Sequence, residues 1–174
     1  MEARMILKTG KGGFTLIELI LVFAIITTLI GITIPSFQGT VARERLKSSA
    51  GDLASTIDYA HWLSVLKGHR HRLICDLDKG SYRITKEKHP RESPGRFYKI
   101  QSHECREKYL PKGIHFESIS TESSSFSNGF VSIDFSPDGT CTGHIIRIAS
   151  NLGESLGIQT FSNTSSVMIK KPTI

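Results

Sequence analysis

Hydrophobic and polar positions divide the chain into three patterns. The first is a run of 21 residues, Phe14 to Ile34, built from apolar residues, threonines and one glycine, with a single carboxylate at Glu18. A helix rises about 1.5 Å per residue, so such a run spans about 31 Å, the thickness of a bilayer core. The second pattern begins after Pro35 and Gly39. Leu46, Ala50, Leu53, Ala54, Ile57, Ala60 and Leu63 recur at three- and four-residue spacing. Arg45, Lys47, Ser49, Asp52, Thr56 and Ser64 fill the other positions. This predicts an amphipathic helix that ends near Gly68 and packs on a sheet, with Trp62 in the interface. Together the two patterns predict one long helix over 14–66, bent near Pro35.

The third pattern is short and alternating. Strands are expected at 71–78 and 81–86 around Asp78-Lys79-Gly80, then at 97–102, 114–119, 130–135 and 143–149. A last hairpin is expected from 156–161 and 167–170. The polar segment 104–111 and the stretches 88–96 and 120–128 read as loops. Seven or eight antiparallel strands in two sheets over a helix make an α+β fold. The expected organisation is a leader at 1–13, a membrane and assembly helix at 14–35, and a globular head at 36–174.

Charge adds an orientation. The chain has 174 residues and a formal net charge of +6. Arg4, Lys8 and Lys11 against Glu2 place +2 of this before the apolar run. A positive flank stays in the cytoplasm, so the head is expected on the far side of the membrane. A secretory signal peptide has a shorter apolar region followed by a small-residue cleavage site. Here the run is long and Pro35-Ser36-Phe37 follows it.

A simple anchor accounts for neither Gly12-Gly13 nor Glu18. Gly13-Phe14-Thr15-Leu16-Ile17-Glu18, after a basic leader and before an apolar run, resembles the signal of type IV pilins and type II secretion pseudopilins. The resemblance covers residues 8 to 35, with Pro35 at a common proline position. It implies that a prepilin peptidase cuts between Gly13 and Phe14 and methylates the new amine of Phe14. It also implies that Glu18 pairs with such an amine during filament assembly. An ionisable group inside a membrane segment requires a partner, which agrees. The snorkelling of Glu18 to the headgroups is the plainer alternative. The implied partners are the peptidase, other pilins or pseudopilins, an inner-membrane assembly platform and the bilayer.

Phe135-Ser136-Pro137-Asp138-Gly139-Thr140-Cys141 before a strand resembles the hairpin of the GspH/FimT branch of minor pseudopilins and minor pilins. The resemblance implies a subunit of a type II secretion pseudopilus. A FimT-like minor pilin that binds DNA is the alternative. For that reading the phosphate contacts would come from Arg70, Arg72, Lys86, Lys88, Arg91, Arg96, Lys99, Lys170 and Lys171. The Gly-Arg-x-Arg element of DNA-binding members is missing from the carboxy-terminal part of this sequence.

Other chemistry finds little footing. Cys75, Cys105 and Cys141 form no C-x-x-C. In an oxidising compartment one disulfide and one thiol is the natural count. Leu73, Cys75 and Leu77 alternate on one face, which buries Cys75 and favours a Cys105–Cys141 bridge; three reduced thiols is the alternative. His69 and His71 lack further metal ligands, and no acidic cluster signals calcium. No G-x-S-x-G occurs, and His115, His144 and Asp138 have no signalled nucleophile, so neither enzyme activity nor a cofactor is expected.

Overall fold

The computed structural model describes the backbone of residues 13–89, 93–161 and 164–170, and the side chains of those other than 31–38, 89, 161 and 164–168. The chain divides into two compact units, Met1–Gly39 and Thr40–Ile174. One helix, α1, runs Leu16–Lys67, so the predicted long helix is present.

In the amino-terminal unit the apolar side chains from Leu16 to Ile30 are exposed. The threonines among them hide their polarity. Thr27 donates to the carbonyls of Phe23 and Ala24 at 2.8 and 3.0 Å, and Thr28 donates to Ala24 at 2.8 Å. Among the described residues no helix is long and apolar enough to cross a membrane. Of the expected span, the side chains of 31–34 lie outside the described residues.

In the head, the predicted stripe of α1 is the buried one: Leu46, Ala50, Leu53, Ile57, Ala60 and Leu63 all face the core. Ser49, Thr56 and Ser64, expected on the solvent face, are buried beside them. Their hydroxyls donate to the carbonyls four residues back, at 2.7 to 2.8 Å, so burial leaves no donor unmet. Trp62 goes the other way. It is 55 % exposed and stacks on Tyr59 with ring centroids 6.1 Å apart. It lies about 200° round the helix from Ala60, away from the sheet. Gly68 ends α1 with φ of 64°, a conformation that glycine adopts without strain.

The strands are β1 His71–Asp76, β2 Ser81–His89, β3 Ser93–Lys99, β4 Lys108–Tyr109, β5 Ile114–Ser120, β6 Ser125–Phe126, β7 Phe130–Phe135, β8 Ile145–Ser150, β9 Ser155–Phe161 and β10 Thr164–Lys170. They form two antiparallel sheets. One has the order β3-β2-β1-β7 with β4 also on β2; the other has the order β10-β9-β8-β5-β6. The sequence pattern missed β4 and β6, two-residue strands inside segments read as loops. Such short pairings are set by the neighbouring strand, not by local alternation. Most of the 88–96 stretch is strand, and residues 90–92 lie outside the description.

Leu73 and Cys75 of β1, Tyr82 and Ile84 of β2, and Val131, Ile133 and Phe135 of β7 join the α1 stripe. Phe116, Ile119, Ile146, Ile148 and Ile158 of the second sheet complete the same cluster. His71 is buried in it at 1 % exposure. Its Nδ1 lies 3.0 Å from the His69 carbonyl and 3.1 Å from Ser64 Oγ. A carbonyl only accepts, so Nδ1 carries the hydrogen of a neutral ring. Burial lowers the pKa of His71 from its ordinary value; the His69 carbonyl opposes this and Lys86 and His69 add to it.

Two outcomes are expected. Leu53→Ala should cost about 2–5 kcal/mol in denaturant unfolding, because Leu53 is fully enclosed. Unfolded His71 takes up a proton near about pH 6.5, whereas folded His71 does so only at lower pH. Its contribution is therefore complete above that pH and is lost as the pH falls below it. The urea midpoint, followed by Trp62 fluorescence, should drop more between about pH 7.5 and about pH 5.5 in the native chain than in His71→Gln. Equal drops in the two chains would clear His71 of the effect.

Candidate assembly site at the amino terminus

Helix α1 leaves its first N–H groups without intrahelical partners. Thr15 and Glu18 meet that need reciprocally. The Glu18 N–H donates to Thr15 Oγ1 at 3.3 Å, and Glu18 Oε2 accepts from the Thr15 N–H at 3.4 Å. Thr15 Oγ1 also donates to Oε2 at 3.4 Å. This is a capping box, with Thr15 at the cap and Glu18 three residues on. The Thr-x-x-Glu spacing before an apolar run is its signature in the sequence. Glu18 therefore has a partner inside its own chain as well as the amine expected of Phe14.

Gly13, Phe14 and Thr15 precede the helix in irregular backbone. Phe14 is exposed. A Cβ added to Gly13 would meet nothing within 4 Å. Among the described residues nothing places a steric demand for glycine there.

The basic tract is used internally. Arg72 Nη2 donates to Asp134 Oδ2 at 2.7 Å, and Arg70 reaches the same oxygen at 3.4 Å. The Arg72 guanidinium also lies 3.9 Å from the Phe97 ring centroid. Asp134 is the first cause of the raised pKa of Arg72. Lys88, Arg96, Lys99 and Lys170 are exposed and Lys86 half-buried, while Arg91 and Lys171 lie outside the described residues. His69 and His71 gain no companions, since among the described residues no group of three His, Cys, Asp or Glu could hold a metal.

The expected Cys105–Cys141 bridge is not made. Cys105 is a buried free thiol and Cys141 is half-buried. Cys105 lies in the segment leading into β4, which pairs with the outer edge of β2. Cys141 pairs with Phe135 on the side of β7 away from β1, at the opposite edge of the sheet. Strands β2, β1 and β7 lie between those edges, at a spacing of about 4.8 Å per strand. Burial raises the pKa of both thiols.

The Phe135–Cys141 turn closes onto α1. Ser136 N–H donates to the Thr140 carbonyl at 2.9 Å, and Asp138 Oδ1 accepts from Thr140 N–H at 3.0 Å. His61 Nε2 donates to the Gly139 carbonyl at 2.9 Å. Gly139 has φ of 84° and sits where a Cβ would be 3.6 Å from that nitrogen.

Residues 8–34 match the prokaryotic N-terminal methylation motif. Two solved structures of the minor pseudopilin EpsH of the type II secretion system of Vibrio cholerae are similar to this chain. The TM-scores are 0.58 and 0.60 at 13 % and 12 % identity, over 74 % and 75 % of this chain and 98 % and 96 % of EpsH. The fold is pilin-like. A weaker likeness is to the type IV minor pilin FimU of Pseudomonas aeruginosa, with a TM-score of 0.48 at 15 % identity over 74 % of this chain and 90 % of FimU. No curated protein matches this chain.

Replacing Thr15 with Val removes the hydroxyl that caps α1. The expected cost is about 0.5–2 kcal/mol at the helix start. It should be read as faster amide exchange at Leu16 to Leu19, with the exchange of Leu53 unchanged.

Proposed function

We propose that this protein is a minor pseudopilin subunit of a type II secretion system. It would be cut after Gly13 by a prepilin peptidase, methylated at Phe14, held in the inner membrane by its apolar helix and assembled into a periplasmic pseudopilus. The observation that carries this reading is the methylation motif over 8–34 on a chain whose head has the fold of EpsH. Three features of the chain support it. Gly13 is unconstrained by the fold. The apolar side chains of Leu16 to Ile30 are exposed and call for lipid or neighbouring helices. Glu18 sits exposed in the first turn of α1, a carboxylate open to an amine freed at Phe14.

The reading as a FimT-like minor pilin that binds DNA draws little support from the 68–72 tract, because Arg72 is engaged by Asp134 and the same carboxylate also draws Arg70 at 3.4 Å.

Gly13→Leu should leave the leader attached, seen as an unshifted intact mass when the chain is made with a prepilin peptidase. Glu18→Ala should insert and be cleaved normally but fail to co-purify with sheared filaments. A Glu18→Ala chain found in filaments at native level would remove the assembly role. Cleavage of Gly13→Leu at the native rate would remove the processing role.

A further inference from the structure

A cleft of about 190 Å³ opens in the second sheet between the β5–β6 turn, the start of β8 and β9. Its walls include Ser120, Thr121, Glu122, His144, Gln159 and Thr160. His144 is 5 % exposed. Its Nδ1 lies 2.8 Å from the Thr142 carbonyl, so in the neutral ring Nδ1 carries the hydrogen and Nε2 the lone pair. Nε2 makes no hydrogen bond among the described residues, yet it is not one of the buried side-chain nitrogens that lack a partner. It therefore keeps some access to solvent, on a residue that lines the cleft.

The hydroxyls of the cleft turn their hydrogens away from it. Ser120 Oγ donates to the Ile145 carbonyl at 3.4 Å, and Thr121 Oγ1 donates to the Ser124 carbonyl at 3.3 Å. Thr160 Oγ1 faces the carbonyls of Thr142 and His144, each at 3.3 Å. Thr121 Oγ1 also accepts from the Ser124 N–H at 3.1 Å and Thr160 Oγ1 from the His144 N–H at 2.9 Å, which leaves each oxygen one lone pair. With the hydrogens committed to the main chain, the acceptors of the walls are Ser120 Oγ, those remaining lone pairs, the imidazole Nε2 and the Glu122 carboxylate. The Gln159 amide can present its oxygen by a turn of its side chain. No lysine or arginine lines the cleft.

An acceptor-rich cleft with one carboxylate fits a cation that only donates. We propose that it binds a primary ammonium group, with Glu122 supplying charge and His144 Nε2 accepting one of the three N–H bonds. The side chain of Ile145 provides an apolar wall for the carbon attached to that nitrogen. A transition metal fits less well, because His144 and Glu122 have no third ligand among the described residues. The ammonium could come from a lysine side chain of a partner protein or from a small free amine.

The test uses the full chain in detergent micelles, labelled with ¹⁵N-histidine, at fixed pH and ionic strength. The His144 Nε2 resonance is assigned by its absence in His144→Gln. Titration with n-butylammonium should move it saturably, and Glu122→Gln should weaken binding about tenfold. Tetramethylammonium carries the same charge without N–H donors and should leave it in place. Binding of Nα-acetyl-lysine-N-methylamide as tightly as butylammonium assigns the site to a lysine side chain; binding of butylammonium alone assigns it to a free amine. No saturable shift with either amine, or an equal shift with tetramethylammonium, overturns the proposal.

Discussion

The head depends on one burial: the stripe of α1 from Leu46 to Leu63 against the inner faces of both sheets. Leu53, Ala50 and Ala60 are completely enclosed, as are Leu73, Ile133, Ile146, Ile148 and Ile158 opposite. Alanines at two of these helix positions let the backbone of α1 approach the sheets, and the large isoleucines fill the space left. Apolar burial contributes about 25 cal/mol per Å², so this shared face outweighs any single polar contact in the head. Polar groups at its margin are tolerated only because they bond locally, as Ser49, Thr56 and Ser64 do to their own helix.

That stripe was legible because a single periodicity dominates it. The six large or small apolar positions that face the core were all in the predicted set. Strand β7 was legible in the same way, since Val131, Ile133 and Phe135 alternate cleanly with polar neighbours. Legibility failed where a partner decided the outcome. Nothing in Lys108-Tyr109 marks a strand; the pairing of Tyr109 with Ser81 makes it one. Trp62 is expected in the interface, yet its angle round the helix sends it to solvent. The Cys105–Cys141 expectation failed because the order of strands, which local spacing does not encode, sends the segments that carry the two cysteines to opposite edges of one sheet.

The candidate site was half legible. Gly13, Phe14 and Glu18 stand out as residue types that an ordinary apolar segment would not need. Thr15 stood in plain view between them, but its role appears only when its hydroxyl is seen against the Glu18 amide. Charge was read less well. The tract from Gly68 to Arg72 looks like a surface for anions until Asp134, sixty residues on in the chain and one strand away in space, takes up both arginines. Arg83 likewise meets Glu107 at 3.1 Å. The net positive charge of the chain therefore overstates what these arginines offer to a partner.

The capping box has a consequence for the order of events at the amino terminus. Because Thr15 and Glu18 close the helix at Leu16 from within, the first turn is complete while residue 14 is still joined to residue 13. The peptide bond between Gly13 and Phe14 lies in irregular backbone outside the helical hydrogen-bond ladder. An enzyme that grips an extended strand could cut there without unwinding α1, and the stub of two residues left behind would carry its new charge on a short tether in front of an already finished helix.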